Sequence, residues 1–340
     1  MLVSYRWLQE LCPVDADVAE VAERISLAGL EVEAMHEKGI GLDGVVIAEV
    51  RTKNVHPKHD KLTLVRLFDG EDELDVVCGA PNVPAPGGRV LFARPGAVLP
   101  NGMEIAPRKV GGIQSNGMIC SEAELDIGTD AEGIFVLDAE QPALPGVPIA
   151  DALDLRDVIL DIGLTPNRPD CLGHVGIARE VGVLFGVKYA PRRAAGPGRT
   201  FPAGGSFEAG QPTTNLDPLW DGDAATVETP ELPAVSVEID DGERCPRYGA
   251  ALVSGVQVGP SPFWLRYRLH TLGLRALSNI VDATNLILLE WGHPIHGFDL
   301  HRLRGSKVVV RLASEGETMA TLDGIERTFT ADVLLICDGE

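Results

Sequence analysis

Cationic side chains are scarce in this chain, with 29 lysines and arginines against 50 aspartates and glutamates, a formal net charge of −21. That balance excludes a protein that coats nucleic acid or an anionic membrane unselectively, although a local basic face can still hold a polyanion. Cysteines are few and scattered. Cys12, Cys78, Cys120, Cys171, Cys245 and Cys337 include no CxxC pair, which excludes a disulfide scaffold and a zinc ribbon and predicts reduced thiols. Aromatic residues make up 5% of the chain against 45% hydrophobic residues, so its cores are mainly aliphatic. No apolar run approaches the roughly 20 residues of a membrane span, and the start MLVSYRWLQELCP lacks a leader's apolar core. The expected location is the cytoplasm.

A length of 340 residues predicts two or three domains. The expected class is a multidomain α+β protein. Residues 1–38 carry a short helical segment around Trp7, Leu8 and Leu11. A second helix follows with Val18, Val21, Ala22 and Ile25 on one face, capped by Asp15 or Asp17 and ended by Gly29, and then a strand over Leu30 to Met35. This is too little to bury a core alone. The alternation of Val158, Leu160, Ile162 and Leu164 and the helix with Ala178, Val181 and Phe185 supply a complement. The prediction is a small discontinuous domain, 1–38 with 152–190, into which 40–151 is inserted.

The insertion reads as successive strands, GVVIAEVRTKNV, KLTLVRLFDG, ELDVVCGA and RVLFARPGAV, separated by Gly, Pro and Asp turns. Short strands at this spacing fit an OB-type β-barrel. Its cations cluster at Lys53, His56, Lys58, His59 and Lys61, then at Arg108 and Lys109 before GGIQSNGMICSEAELDIG. A cationic loop on a barrel face can hold a phosphate backbone, and a solvated surface run is the bland alternative. Residues 191–235, rich in Ala, Gly, Pro and Thr, read as a flexible linker. Beyond it, a strand over AALVSGVQV and a helix PFWLRYRLHTLGL started by Ser261–Pro262 open a mixed α+β domain, 236–340. The strand KVVVRLA, a hairpin around Asp323–Gly324 and the strand VLLIC continue it, and ending there predicts that the domain is cut short.

Within this last region SNIVDATNLILLEWGHPIHGFD crowds polar groups into an apolar segment. Asn279 is the predicted N-cap of a helix of about 12 residues stopped by Gly292 and Pro294. Thr284 and Asn285 lie on its largely apolar surface, where an unmatched polar group costs roughly 1 to 3 kcal/mol. They are candidates for a pocket or for back-bonding to the helix. Asp282 and Glu290 read as surface or capping carboxylates. His296 is a pocket residue or a satisfied core histidine. The set His293, His296, Asp299 and His301 invites a metal reading, but no cysteine joins it and the spacing matches no usual zinc pattern, so no metal is expected.

VSYRWLQEL at the start, HPKHDKL with VVCGAPN and SNGMICSEAEL, and RCPRY through SNIVDATNLILLEWGHPIHGFD to TLDG together resemble the bacterial phenylalanyl-tRNA synthetase beta subunit family. The likeness covers nearly the whole chain apart from the linker, which is longer than in the family, and His59 stands where the motif more often has a small residue. It implies a ligase subunit of which this is an N-terminal fragment. The segment HPKHDKL to SNGMICSEAEL becomes a tRNA-binding OB domain, with Lys53, His56, Lys58, Lys61, Ser115, Asn116 and Met118 as its tRNA(Phe) site, Lys58 and Lys61 the candidates for phosphate contact and Ser115, Asn116 and Met118 structural or rim-forming. The C-terminal region becomes an editing domain that hydrolyses tyrosyl-tRNA(Phe), with His296, Asn285 and Thr284 lining its pocket and the acidic residue that reads the tyrosyl hydroxyl past Glu340. ATP, Mg2+ and aminoacylation are implied for the whole enzyme, outside this fragment. The implied partner is an alpha subunit, in a heterotetramer of two alpha and two beta chains.

The chemistry is coherent, because a hydrophobic site rejects an isostere with one extra hydroxyl by only about a hundredfold, so a second, hydrolytic pocket is needed. An activated ester needs chiefly a held water and an oriented carbonyl, tasks suited to His296 and Asn285. The rival reading is a freestanding RNA-binding or assembly protein with an OB domain and a non-catalytic amino-acid-binding fold. A metal-dependent hydrolase is a third.

Overall fold

Residues 2–4 pair as a strand before any helix begins. Strand β1 (Leu2–Ser4) leads into helix α1 (Tyr5–Leu11), with the Ser4 hydroxyl accepting from the Trp7 N–H at 3.0 Å as N-cap. Helix α2 (Val18–Leu27) is capped by Asp17 and buries Val21, Ala22 and Ile25, and strand β2 (Glu31–Lys38) follows. The computed structural model describes residues 1–138, 143–189, 235–253, 255–321 and 324–340.

The next strands are β3 (Val45–His56), β4 (His59–Phe68), β5 (Glu73–Cys78) and β6 (Arg89–Ala93), then the hairpin β7 (Arg108–Val110) and β8 (Ile113–Ser115), and β9 (Met118–Ile119). They form an antiparallel five-stranded sheet in the order β5-β4-β3-β6-β9, with β7-β8 as a separate pair. The central strands are covered on both sides. Val45, Ile47, Leu91 and Ala93 enter one core, and Val46, Ala48, Val50, Val90 and Phe92 another. This explains why VVIA and VLFA read as continuous apolar runs rather than alternation. Among the described residues no ladder joins β5 to β9. Instead the segment after β8 stitches the edges, with the Asn116 N–H donating to the Asp75 carbonyl at 2.9 Å while Met118 pairs with Ala93.

Helix α3 (Ile149–Ala152) returns the chain to strand β10 (Asp157–Gly163), and helix α4 (His174–Phe185) ends at Gly186 in the left-handed region. Strand β10 lies between β1 and β2, antiparallel to both. Val3, Trp7, Leu8, Val21, Ile25, Leu160, Ile162 and Val181 share one core with it. Helices α5 (Phe263–Thr271) and α6 (Asn279–Trp291) complete this assembly. Phe263 and Tyr267 enter the core beside Ile47 and Leu91, while Leu272, Leu286 and Leu289 pack with the β1-β10-β2 core.

The chain therefore packs as two units, Met1–Arg192 with Gly259–Ile295, and Arg193–Val258 with His296–Glu340. In the second unit β11 (Ser236–Ile239) runs parallel to β12 (Lys307–Leu312), and β15 (Leu334–Cys337) lies antiparallel on the other side of β12. Strands β13 (Thr318–Ala320) and β14 (Glu326–Thr328) make the expected hairpin, of which Asp323 lies outside the described residues. The strand expected over AALVSGVQV does not form among its described residues, and β11 occupies the sheet position beside β12. The linker expected over 191–235 lies outside the described residues but for its last, Val235. No helix among the described residues is long and apolar enough to cross a membrane.

Candidate functional site

Helix α6 is one residue longer at its start than its predicted cap allowed. Ser278 is the N-cap, accepting from the Val281 N–H at 3.4 Å, and Gly292 closes the helix at φ 69°, its N–H donating to the Leu288 carbonyl at 2.8 Å. Asn279 instead clasps the incoming chain. Its N–H donates to the Gly259 carbonyl at 2.8 Å and its Oδ1 accepts from the Gly259 N–H at 3.2 Å. Asp282 is not a surface carboxylate. It is 1% exposed and accepts from the Ser261 hydroxyl at 2.6 Å and the Leu277 N–H at 2.8 Å. Burial of a carboxylate is tolerable because these donors replace water.

The far end of α6 is fixed by His174. Its Nδ1–H donates to the Leu289 carbonyl at 2.8 Å, its Nε2 accepts from the Ser4 N–H at 3.0 Å, and its ring stacks on Trp7 at 4.0 Å. Burial pushes this imidazole down to about 4, so it stays neutral and can both donate and accept. Gly173 lets the two helices meet backbone to backbone, since a Cβ there would fall 2.5 Å from the Gly292 nitrogen.

On the helix so held, Thr284 and Asn285 are half-buried. The Thr284 hydroxyl donates to the Val281 carbonyl at 2.7 Å, which is the back-bonding alternative. Asn285 is engaged by no hydrogen bond among the described residues. His296 belongs to the second unit; it is exposed, with its ring 4.6 Å from that of Phe298. The structure thus brings Thr284 and Asn285 together on one helix and assigns His296 to the other unit. His293 and His301 are exposed, Asp299 accepts from the His301 N–H at 3.0 Å, and no three potential ligands gather as a metal site among the described residues.

On the β-domain the basic residues part company by burial. Lys53, Lys58 and Lys61 are exposed, with Lys53 donating to the Val83 carbonyl. His56 is 2% exposed, and its Nδ1 accepts from the Lys58 N–H at 3.1 Å. Ser115 is buried, accepting from the Val77 N–H at 3.1 Å and donating to the Gly117 carbonyl at 3.2 Å. Asn116 and Met118 are half-buried in the stitch between sheet edges.

Helix α5 carries the interactions that the sequence did not announce. Arg266 pairs with Glu122, Arg268 with Glu10 at 2.7 Å while lying 4.6 Å over the Trp7 ring, and His270 with Asp126 at 3.2 Å. The Tyr267 hydroxyl donates to the Leu155 carbonyl at 2.5 Å. A cleft of about 540 Å3 opens beside this helix, lined by Glu122, Asp130, Arg266, His270 and Arg275. Alternating Arg and aromatic residues in FWLRYRLHT are the available signal.

Comparison with known proteins gives two family matches, a "Putative tRNA binding domain" over residues 45–147 and a "B3/4 domain" over residues 244–340. Among curated relatives, the phenylalanine–tRNA ligase beta subunit of Geobacter sulfurreducens is 42% identical over 339 residues, covering 100% of this chain and 38% of the relative. That of Geobacter metallireducens is 43% identical over 342 residues, covering 100% and 39%. That of Halalkalibacterium halodurans is 43% identical over 347 residues, covering 100% and 39%. The chain spans about two fifths of the length of these relatives.

Proposed function

The chain belongs with the phenylalanine–tRNA ligase beta subunits, and on that premise we propose that it contributes tRNA binding and hydrolytic editing of tyrosyl-tRNA(Phe) to a cytoplasmic ligase. Aminoacylation rests with a separate alpha subunit, in an assembly of two alpha and two beta chains. The observation that carries this reading is 42% identity with such a subunit over the whole of this chain and 38% of the relative, combined with the tRNA-binding and B3/4 matches. ATP and Mg2+ serve the whole enzyme. On this reading their sites lie outside this chain.

The proposal takes 1–38 with 152–190 as one discontinuous domain, 40–151 as an OB-type barrel, and 236–340 as part of the editing domain. Five antiparallel strands whose edges are stitched by residues 115–118 support the barrel reading, since that fold is a partly open barrel. Lys53, Lys58 and Lys61 are the phosphate contacts of its exposed face. His56, Ser115, Asn116 and Met118 act by holding that face together, as their burial and hydrogen bonds support.

In editing, the Asn285 amide orients the substrate carbonyl from α6, with Thr284 beside it, and His296 holds the attacking water. The uncommitted amide of Asn285 and the exposed imidazole of His296 favour these roles. The whole protein is expected to deacylate tyrosyl-tRNA(Phe). Asn285→Ala and His296→Ala should each slow this about tenfold, the loss of one hydrogen bond worth about 1.4 kcal/mol, and leave phenylalanine charging by the complex unchanged. Undiminished deacylation in both variants removes the two residues from the site. A purified protein that binds tRNA but neither deacylates nor associates with an alpha subunit would instead be a freestanding RNA-binding protein.

A further inference from the structure

The turn of the β7–β8 hairpin, Gly111–Gly112, sits on the turn between β3 and β4. A Cβ on Gly111 would fall 2.8 Å from His56 Nε2 and 2.8 Å from His59 Cδ2, and φ is +60° there, so bare glycine backbone is what the contact accepts. The two imidazole rings lie 5.0 Å apart and cup this turn. Because His56 Nδ1 accepts from the Lys58 N–H, the ring's hydrogen is on Nε2, and that buried group has no hydrogen-bond partner among the described residues. His56 thus spends its burial on joining two basic segments. One carries Lys58, His59 and Lys61. The other carries Arg108 and Lys109, which lie three and two residues from Gly111, within about 10 Å along an extended strand.

These cations differ from most in the protein. Arg66, Arg94, Arg266, Arg268, Arg304 and Arg311 are all engaged by carboxylates. Lys58, Lys61, Arg108 and Lys109 are exposed and form no ion pair among the described residues, with Asp60 the one carboxylate within the Lys58–Lys61 run. In a chain of net charge −21, four cations left unanswered on two segments pinned side by side point to an external polyanion.

We infer that the β7–β8 hairpin is the second arm of a two-armed cradle for one run of RNA backbone, with Arg108 and Lys109 contacting phosphates opposite Lys58 and Lys61. The inference rests on the tRNA-binding reading above and adds residues and a geometry to it.

The test measures binding of the full chain to a tRNA(Phe) transcript across a salt series, with poly-glutamate as a second polyanion. Each lost phosphate contact lowers the slope of log K against log salt by about 0.7 to 0.9. Arg108→Ala/Lys109→Ala should lower the tRNA slope by between about 1 and 2 and weaken binding several-fold, as should Lys58→Ala/Lys61→Ala. If the lysine pair lowers the slope and the hairpin pair does not, the second arm is overturned while tRNA binding stands. If the chain binds no tRNA, or neither pair moves the slope, the inference falls together with the reading beneath it. Loss of poly-glutamate binding in the hairpin variant with tRNA binding unmoved assigns the arm to an acidic protein partner and overturns the RNA claim.

Discussion

Around α5 and α6 charges are answered from inside the molecule, whereas at the β3–β4 turn and the β7–β8 hairpin they are not. Asp282 is enclosed by Ser261 and Leu277, Arg266 and Arg268 meet Glu122 and Glu10, and His174 is bonded at both nitrogens. Lys58, Lys61, Arg108 and Lys109 face solvent. The contrast separates polar groups that determine where helices lie from polar groups kept for something outside. In the first case removing a group leaves a buried partner unsatisfied; in the second nothing inside the fold loses a bond.

That difference can be broken by measurement. The largest effect on stability is expected at His174, where His174→Ala leaves a cavity behind Trp7 and orphans the Ser4 N–H and the Leu289 carbonyl, a loss of about 4 kcal/mol in urea unfolding. The wild-type histidine also sets a pH window. Its ordinary value of 6.5 applies to the unfolded chain and about 4 to the folded one. Its contribution is therefore complete above about pH 6.5 and is lost as the unfolded chain alone takes up the proton between 6.5 and about 4, of order 3 kcal/mol in all. His174→Gln should flatten the urea midpoint across that window, and an unchanged pH profile would remove His174 as its source. Next, Asp282→Ala should cost about 2 to 3 kcal/mol through the buried Leu277 N–H and Ser261 hydroxyl it abandons. Smallest, Lys58→Ala/Lys61→Ala should change stability by less than about 0.5 kcal/mol; a larger loss would show that these lysines serve the fold, and the comparison would collapse.

How much of this the sequence disclosed follows from the range of each interaction. The strand at Val158 to Ile162 and the helix stop at Gly292 are legible because alternation and the left-handed glycine are local devices. The cap at Ser278 was misread by one residue because Asn279 is as good a cap chemically, and only its clasp on Gly259 diverts it. Asp282 reads from sequence as a surface or capping carboxylate; its enclosure depends on Ser261 and Leu277 folding back over it, which no periodicity encodes. His56 was grouped with the lysines by charge and position, yet the hairpin turn at Gly111 covers it. For Thr284 and Asn285 the sequence supplied identities, and the structure adds the back-bond of Thr284 and the open amide of Asn285.

Ser4 has a consequence in time. It donates to Asp157 at 2.5 Å and to His174 at 3.0 Å, partners that leave the ribosome more than 150 positions later, and Leu289 follows later still. At synthesis rates of about 5 to 20 residues per second the opening segment waits roughly 8 to 30 s for the strand it pairs with. Trp7, Leu8 and Leu11, fully buried at the end, are uncovered meanwhile. The inserted sheet has all its strands by then and can close the core of Val46, Val50, Val90 and Phe92 first, while its other core, like the opening segment, waits for later residues, Phe263 and Tyr267 among them.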